Sequence, residues 1–134
     1  MKVNVEACPF KVDKRLAEIL ETEVKKANVP SGVPVVLNFR SPDYDAESGG
    51  FMPVEIRLSA KGSIVYATDF CYVGHGPFAE LAKNVDFDFG LQVLQLLGRD
   101  FPIQEGKELW QSFQVNFIEY YKVGTYEVTV TAES

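Results

Sequence analysis

A chain of 134 residues with 46% hydrophobic residues is near the commonest single-domain size and long enough to bury one core, so residues 1–134 are expected to form one domain. Thirteen basic against nineteen acidic residues leave a net charge of −6, and no run of Lys and Arg exceeds two residues, at Lys14-Arg15 and Lys25-Lys26. Nucleic-acid affinity comes largely from neutralising phosphates, so this balance excludes nucleic acid as an expected partner and favours a protein partner with a basic surface.

Behind Met1-Lys2 comes Val-Asn-Val-Glu-Ala-Cys, a lone lysine without an apolar core region, so a secretory signal is not expected. No stretch approaches the ~20 apolar residues that cross a bilayer, and no membrane partner is expected. Cys8 and Cys71 are too few and too far apart for a disulfide framework or a Cys-x-x-Cys metal knuckle. The expected compartment is the cytoplasm, with both thiols reduced.

Residues 13 to 27, DKRLAEILETEVKKA, place Leu16, Ile19, Leu20, Val24 and Ala27 on one helical face, with Asp13 as N-cap and Asn28 and Pro30 as the stop. Alternation follows: Val33, Val35, Leu37 and Phe39, then Val54, Ile56 and Leu58 against Glu55, Arg57 and Ser59. Ala60-Lys61-Gly62-Ser63 predicts a hairpin turn into a strand with Ile64, Tyr66, Phe70 and Tyr72 on one side. Connections this short cannot make a parallel crossover, so three antiparallel strands are expected. Another strand ends in Phe87 and Phe89. LQVLQLLG, 91 to 98, is too short and too apolar for periodicity to choose between strand and helix.

From Glu105 to Lys122 a helical stripe of Leu109, Trp110, Phe113, Phe117, Tyr120 and Tyr121 ends at Gly124 and is expected to pack across the sheet. A final strand has Tyr126, Val128 and Val130 facing in. The order helix, strands, helix, strand predicts an α+β fold with helices on an antiparallel sheet.

Four stretches present themselves as candidate chemistry. Cys71 and His75 would make a nucleophile and base, but four strand residues at ~3.3 Å each separate their Cα atoms by roughly 13 Å. Gly-His-Gly-Pro around His75 reads more simply as a turn. Asp86 and Asp88 point to one side of a strand about 7 Å apart, a spacing open to a shared hard cation or an acid/base pair, with Asp69 and Glu80 able to join across strands. Val85, Phe87 and Phe89 on the other side make a solvated sheet face the simpler expectation. SPDYDAESGG, 41 to 50, spaces Asp43, Asp45 and Glu47 as in a calcium loop, yet the pattern then needs Gly at Ser48 and Glu at Val54. An acidic hairpin loop is expected instead. Asp88-Phe89-Gly90 matches a kinase triplet in a chain with no Gly-rich loop or His-Arg-Asp segment, and Trp110 belongs to the apolar stripe. No Walker sequence or Gly-x-Gly-x-x-Gly occurs; no cofactor, metal or catalytic residue is expected.

"FRSPDYDAESGGFMPVEIRL", "YATDFCYVG", "ELAKNVDFDFG" and "LWQSFQVNFIEYYKVGTYEVTV" together resemble an uncharacterised bacterial domain family of vibrios and relatives, found in mobile or pathogenicity islands. The resemblance covers roughly residues 35 to 131 and supplies no catalytic residues. It implies a fold similar to the mitochondrial acidic matrix proteins: a twisted antiparallel sheet flanked by helices, assembly as ring-shaped trimers, and many partners without enzymatic activity. Those proteins end in helices that build the ring, whereas this chain is predicted to end in a strand over 125 to 131.

The function expected is therefore a non-enzymatic acidic binding or adaptor protein that presents Asp43, Asp45, Glu47, Asp86 and Asp88 to a basic partner. One alternative is a small metal-dependent hydrolase using Asp69, Asp86 and Asp88. Another is a self-assembling structural protein, a homo-oligomer that buries part of its surplus of aromatic surface: ten Phe, six Tyr and one Trp.

Overall fold

The computed structural model describes residues 1–47 and 49–133. Helix α1, Lys14–Ala27, starts where Asp13 Oδ1 accepts the Arg15 amide at 2.8 Å and stops at Asn28 in the left-handed conformation. Strands β1 (Val35–Arg40), β2 (Val54–Leu58) and β3 (Ile64–Val73) follow, then β4 (Glu80–Asp88), β5 (Val93–Leu96) and β6 (Arg99–Pro102). A 3-10 turn, Ile103–Gly106, leads into α2, Lys107–Lys122, and β7, Glu127–Ala132, completes the chain. The strands form one seven-stranded antiparallel sheet in the order β6-β5-β4-β3-β2-β1-β7. The C-terminal strand thus pairs with β1 and makes one edge.

Strand alternation puts Val35, Leu37 and Phe39 of β1, Val54, Ile56 and Leu58 of β2, Ala67 of β3, Phe87 of β4 and Leu94 of β5 on one face. Both helices cover that face. Phe117 packs edge-on against Phe39 at 4.8 Å between ring centroids, and Trp110 meets Phe87 at 5.0 Å. Leu16 and Leu20 of α1 join the same core. Apolar burial at about 25 cal/mol per Å² drives this layering, and the opposite face carries the polar alternates Asn38, Glu55, Tyr66, Thr129 and Thr131.

Several boundaries and faces differ from the sequence expectation. Residues 91 to 98 form neither a helix nor one strand: β5 turns at Leu97 and Gly98, both at positive φ (46° and 84°), into β6. A two-residue turn of that kind matches strand twist, but Leu in place of the usual Asn or Asp hid it. Ala27 is exposed, and Glu23 takes the inward place on α1 because the Tyr121 hydroxyl donates to its carboxylate from α2. Leu109 lies at the rim of the core, while Gln114 and Ile118 are buried. The Gln114 amide is satisfied, accepting the Asp13 amide at 2.7 Å and donating to the Lys11 carbonyl at 3.2 Å. Val33 precedes β1, and Glu105 lies in the 3-10 turn before α2.

The largest correction concerns β3. Its register against β2 shifts so that Arg57 faces Tyr66 while Leu58 faces Ile64, leaving Val65 as an extra residue whose carbonyl accepts both the Phe89 and Gly90 amides. Past that bulge Ala67 and Asp69 face the helices and Tyr66 faces away, so the alternation Ile64, Tyr66, Phe70, Tyr72 does not stay on one side. The predicted turn over 60 to 63 holds. Gly62 sits at φ +85°, and a Cβ there would lie 2.1 Å from the Lys2 carbonyl, so only glycine lets the N-terminal segment lie across this turn.

Candidate functional site

A second bulge sets up the site. β3 and β4 pair as Asp69 with Val85 but Phe70 with Lys83, so Asn84 is the extra residue. Asn84 and Val85 therefore both face α2, and Lys83 and Asp86 both face the other way. Between this bulge and α2 opens a cleft of about 190 Å³. Its floor is Val54, Asp69, Asn84 and Val85; its α2 wall carries Phe113, Phe117 and Tyr120, with Ser112 and Asn116 one turn apart at the mouth; Met52 and Tyr126 close the far side.

Asp69 is the ionisable group at the floor, 9% exposed. Its Oδ1 accepts the Val85 amide at 2.9 Å. Burial pushes its carboxyl above the usual range, against the Val85 amide and the Asn84 side chain, which favour the charged form. None of the ion pairs among the described residues includes Asp69. The Tyr126 hydroxyl donates to the Met52 carbonyl at 3.1 Å, and Phe51 stacks on Tyr120 at 4.4 Å. These two contacts fasten the end of the acidic loop to the cleft mouth.

Asp43, Asp45 and Glu47 are all exposed on that loop. Asp45 Oδ1 accepts the Glu47 amide at 2.9 Å, and Asp45 pairs with Gly49 through backbone bonds, making a small hairpin. Of the two residues that break the calcium-loop pattern, Val54 lies in β2 and Ser48 lies outside the described residues. Tyr44 stacks on Tyr72 at 5.4 Å and fastens the loop to β3.

Asp86 and Asp88 share the face away from the helices, opposite Thr68 and Tyr66, but have separate structural partners. Asp86 is 7% exposed; it accepts the Thr68 hydroxyl at 2.7 Å and lies 3.7 Å from Lys83 Nζ. It is therefore not displayed to a partner. Asp88 accepts the Leu91 amide at 2.9 Å and so closes the turn into β5. Asp69 is on the opposite face, and Glu80 lies roughly 20 Å along β4 at about 3.3 Å per residue, so the four carboxylates do not converge. Among the described residues no group of three His, Cys, Asp or Glu side chains is placed to hold a metal ion.

Cys71 sits in β3 opposite Ala82, and His75 is exposed beyond the strand end. Burial, then the Asp69 charge, pushes the Cys71 thiol up, the reverse of an activated nucleophile. The Cys8 thiol is likewise raised by burial. No described helix is long and apolar enough to cross a membrane.

Asp69 was legible only as a loose member of the Asp86/Asp88 group, and Asn84, Ser112, Asn116 and Tyr126 were not legible as site residues. The spacing of Ser112 and Asn116, i and i+4 beside the aromatic stripe of α2, is the one sequence signal for the cleft mouth.

These features define an α+β protein with one seven-stranded antiparallel sheet, two helices on one face and a carboxylate-floored cleft beneath the second helix. The model of a family described as a protein of unknown function, DUF2787, matches residues 14–131, and the chain belongs to that family. Among solved structures it is similar to the hypothetical protein VC0508 from the Vibrio cholerae VSP-II pathogenicity island, with 31% identity over 98% of this chain and 100% of that one and a TM-score of 0.84. It is also similar to the conserved hypothetical protein VC1805 from pathogenicity island VPI-2 of Vibrio cholerae O1 biovar eltor, with 32% identity over 92% and 97% of the two chains and a TM-score of 0.79. VC1805 is described as sharing structural homology with human P32, the mitochondrial acidic matrix protein, so the expected sheet architecture of that kind holds. A comparison with curated proteins finds no match.

Proposed function

We propose that this chain is a non-enzymatic acidic binding protein that engages a protein partner through a basic surface on that partner. The observation that carries this reading is the continuity between the exposed carboxylates of Asp43, Asp45 and Glu47 and the Asp69 cleft, joined through Phe51 and Met52. A net charge of −6 adds long-range attraction for a basic partner, and the placement of Asp69 on the opposite face from Asp86 and Asp88 counts against a hydrolase built on those three carboxylates. The similarity to pathogenicity-island proteins supports a role in the biology of such an island. The test is capture by an immobilised lysine-rich peptide and by its glutamine-substituted counterpart. Retention on the first alone is expected; equal retention on both contradicts the reading.

A second reading, self-association, is favoured by the β3–β4 hairpin tip. Phe78 there is 82% exposed, with Val73 and Leu81 also exposed beside it. Clustered apolar exposure of this kind marks contact surfaces. Native mass spectrometry of wild type and Phe78→Ser tests it: an oligomer lost in the variant supports the tip as an interface, and a wild-type monomer rejects it.

A further inference from the structure

We propose that the cleft beneath α2 is a seat for one lysine side chain of the partner, with the ammonium on Asp69 and the methylenes against Phe113, Phe117 and Tyr126. The identity of the donor rests on the binding reading above, whereas the affinity of the cleft for an alkylammonium does not.

Size, polarity and hydrogen-bond stoichiometry converge on this ligand. A cavity of about 150 Å³ takes a six-atom ligand such as benzene, so a cleft of about 190 Å³ is of the size for the five non-hydrogen atoms of lysine from Cβ to Nζ. The floor is one carboxylate with no ion pair among the described residues, and the walls are aromatic and aliphatic. A buried carboxylate of this kind gains most from an incoming cation, and aromatic faces add attraction for an ammonium. Asp69 Oδ1 is already engaged by the Val85 amide, which fixes the carboxylate in the cleft. Arginine carries seven non-hydrogen atoms beyond Cα and a wide planar fork, whereas the compact point-charge ammonium of lysine fits a cleft of this size against Oδ2. A lone carboxylate also falls short of the several oxygen ligands that a hard divalent cation collects. Ser112 and Asn116 at the mouth can accept or donate to the backbone of the segment that carries the lysine.

The probe is n-butylammonium, followed by amide NMR shifts of Asn84, Val85 and Met52, with 1-butanol as the uncharged isostere. Saturable shifts are expected at these amides, at least tenfold weaker affinity for 1-butanol and for butylguanidinium, and at least tenfold weaker affinity for butylammonium in Asp69→Asn. Asn116→Trp, an exposed substitution that fills the mouth without touching Asp69, is expected to block binding while leaving the fold intact. Neutralising the loop with Asp43→Asn, Asp45→Asn and Glu47→Gln should leave butylammonium binding unchanged. Absence of saturable shifts, equal binding of 1-butanol, or full binding by Asp69→Asn overturns the lysine seat. If butylammonium binds but a lysine-rich peptide does not, the seat takes a free amine, and the basic-protein reading fails instead. If the peptide binds wild type and Asp69→Asn equally, the basic-protein reading stands and the lysine seat fails.

Discussion

The Asp69 carboxylate accepts the Val85 amide at 2.9 Å at the very place where β3 and β4 slip register: the Val65 bulge turns the acid toward the helices, and the Asn84 bulge brings the Val85 amide onto it. A strand without the bulge would send Asn84 to the opposite face and remove a group that steadies the carboxylate. A buried acid with no ion pair among the described residues is destabilising in the free protein, a pattern expected where binding rather than folding sets the residue.

That penalty has a definite pH signature. The carboxyl of Asp69 is raised from its ordinary value of 3.8 in the folded chain, so its favourable contribution is complete below that value and is lost as pH rises through the raised one. Asp69→Asn keeps an acceptor for the Val85 amide and carries no charge. It should raise the melting temperature at about pH 7 and have little effect at about pH 4. Denaturation of both proteins at the two pH values checks this, and a destabilised variant at neutral pH contradicts it.

Phe87 is fully buried and touches Trp110, Phe113 and Phe89, while Gly106 at the head of α2 packs against its ring. Phe87→Ala should cost about 3–5 kcal/mol through lost burial and the cavity left behind. Urea unfolding measures it. A loss below about 1 kcal/mol would mean that α2 does not rest on this ring.

Tyr121 and Glu23 join the two helices. Among the described residues the buried carboxylate keeps the Lys26 ion pair, at 3.6 Å, when the hydroxyl is removed, so Tyr121→Phe should destabilise by about 1–3 kcal/mol. Burial and then the Glu23 contact push the Tyr121 phenol up to about 12, and burial raises Tyr66 and Tyr126 as well. Stability from these phenols is complete below about pH 10 and is lost as pH rises through their raised values. Phenolate absorbance should therefore show late ionisation coincident with alkaline unfolding. One common step near pH 10 for all six tyrosines would contradict the buried positions.

Legibility followed the regularity of the backbone. Where a strand or helix ran unbroken, as in α1, β1, β2 and β7, apolar period alone marked the element and, apart from Glu23 and Ala27 of α1, its face. It failed wherever one extra residue broke the count. Val65 reversed the face of β3, and Asn84 paired two neighbours on one side of β4, because a period of two changes sides with each insertion. The cleft is built on the second of these places and was hidden for that reason. Exchange of Glu23 for Ala27, and burial of Gln114, came from hydrogen bonds to distant residues that no local pattern carries. The loop carboxylates Asp43, Asp45 and Glu47 were legible because a Ser-Pro and Gly-Gly bounded segment has little choice but to lie outside.

Neutralising that loop should leave stability within about 0.5 kcal/mol of wild type, since its carboxylates are exposed. The same change should weaken the hold on a basic peptide.

Titration of a lysine-rich peptide into the wild-type protein across increasing salt, followed by calorimetry, asks most directly whether acidic recognition is what this chain does. Exposed charge pairs are screened over about 10 Å at ordinary ionic strength, so affinity should fall steadily with salt and fall less steeply for the loop-neutralised protein. An affinity that is unchanged from low to high salt, or no binding at any salt, would contradict an acidic binding protein.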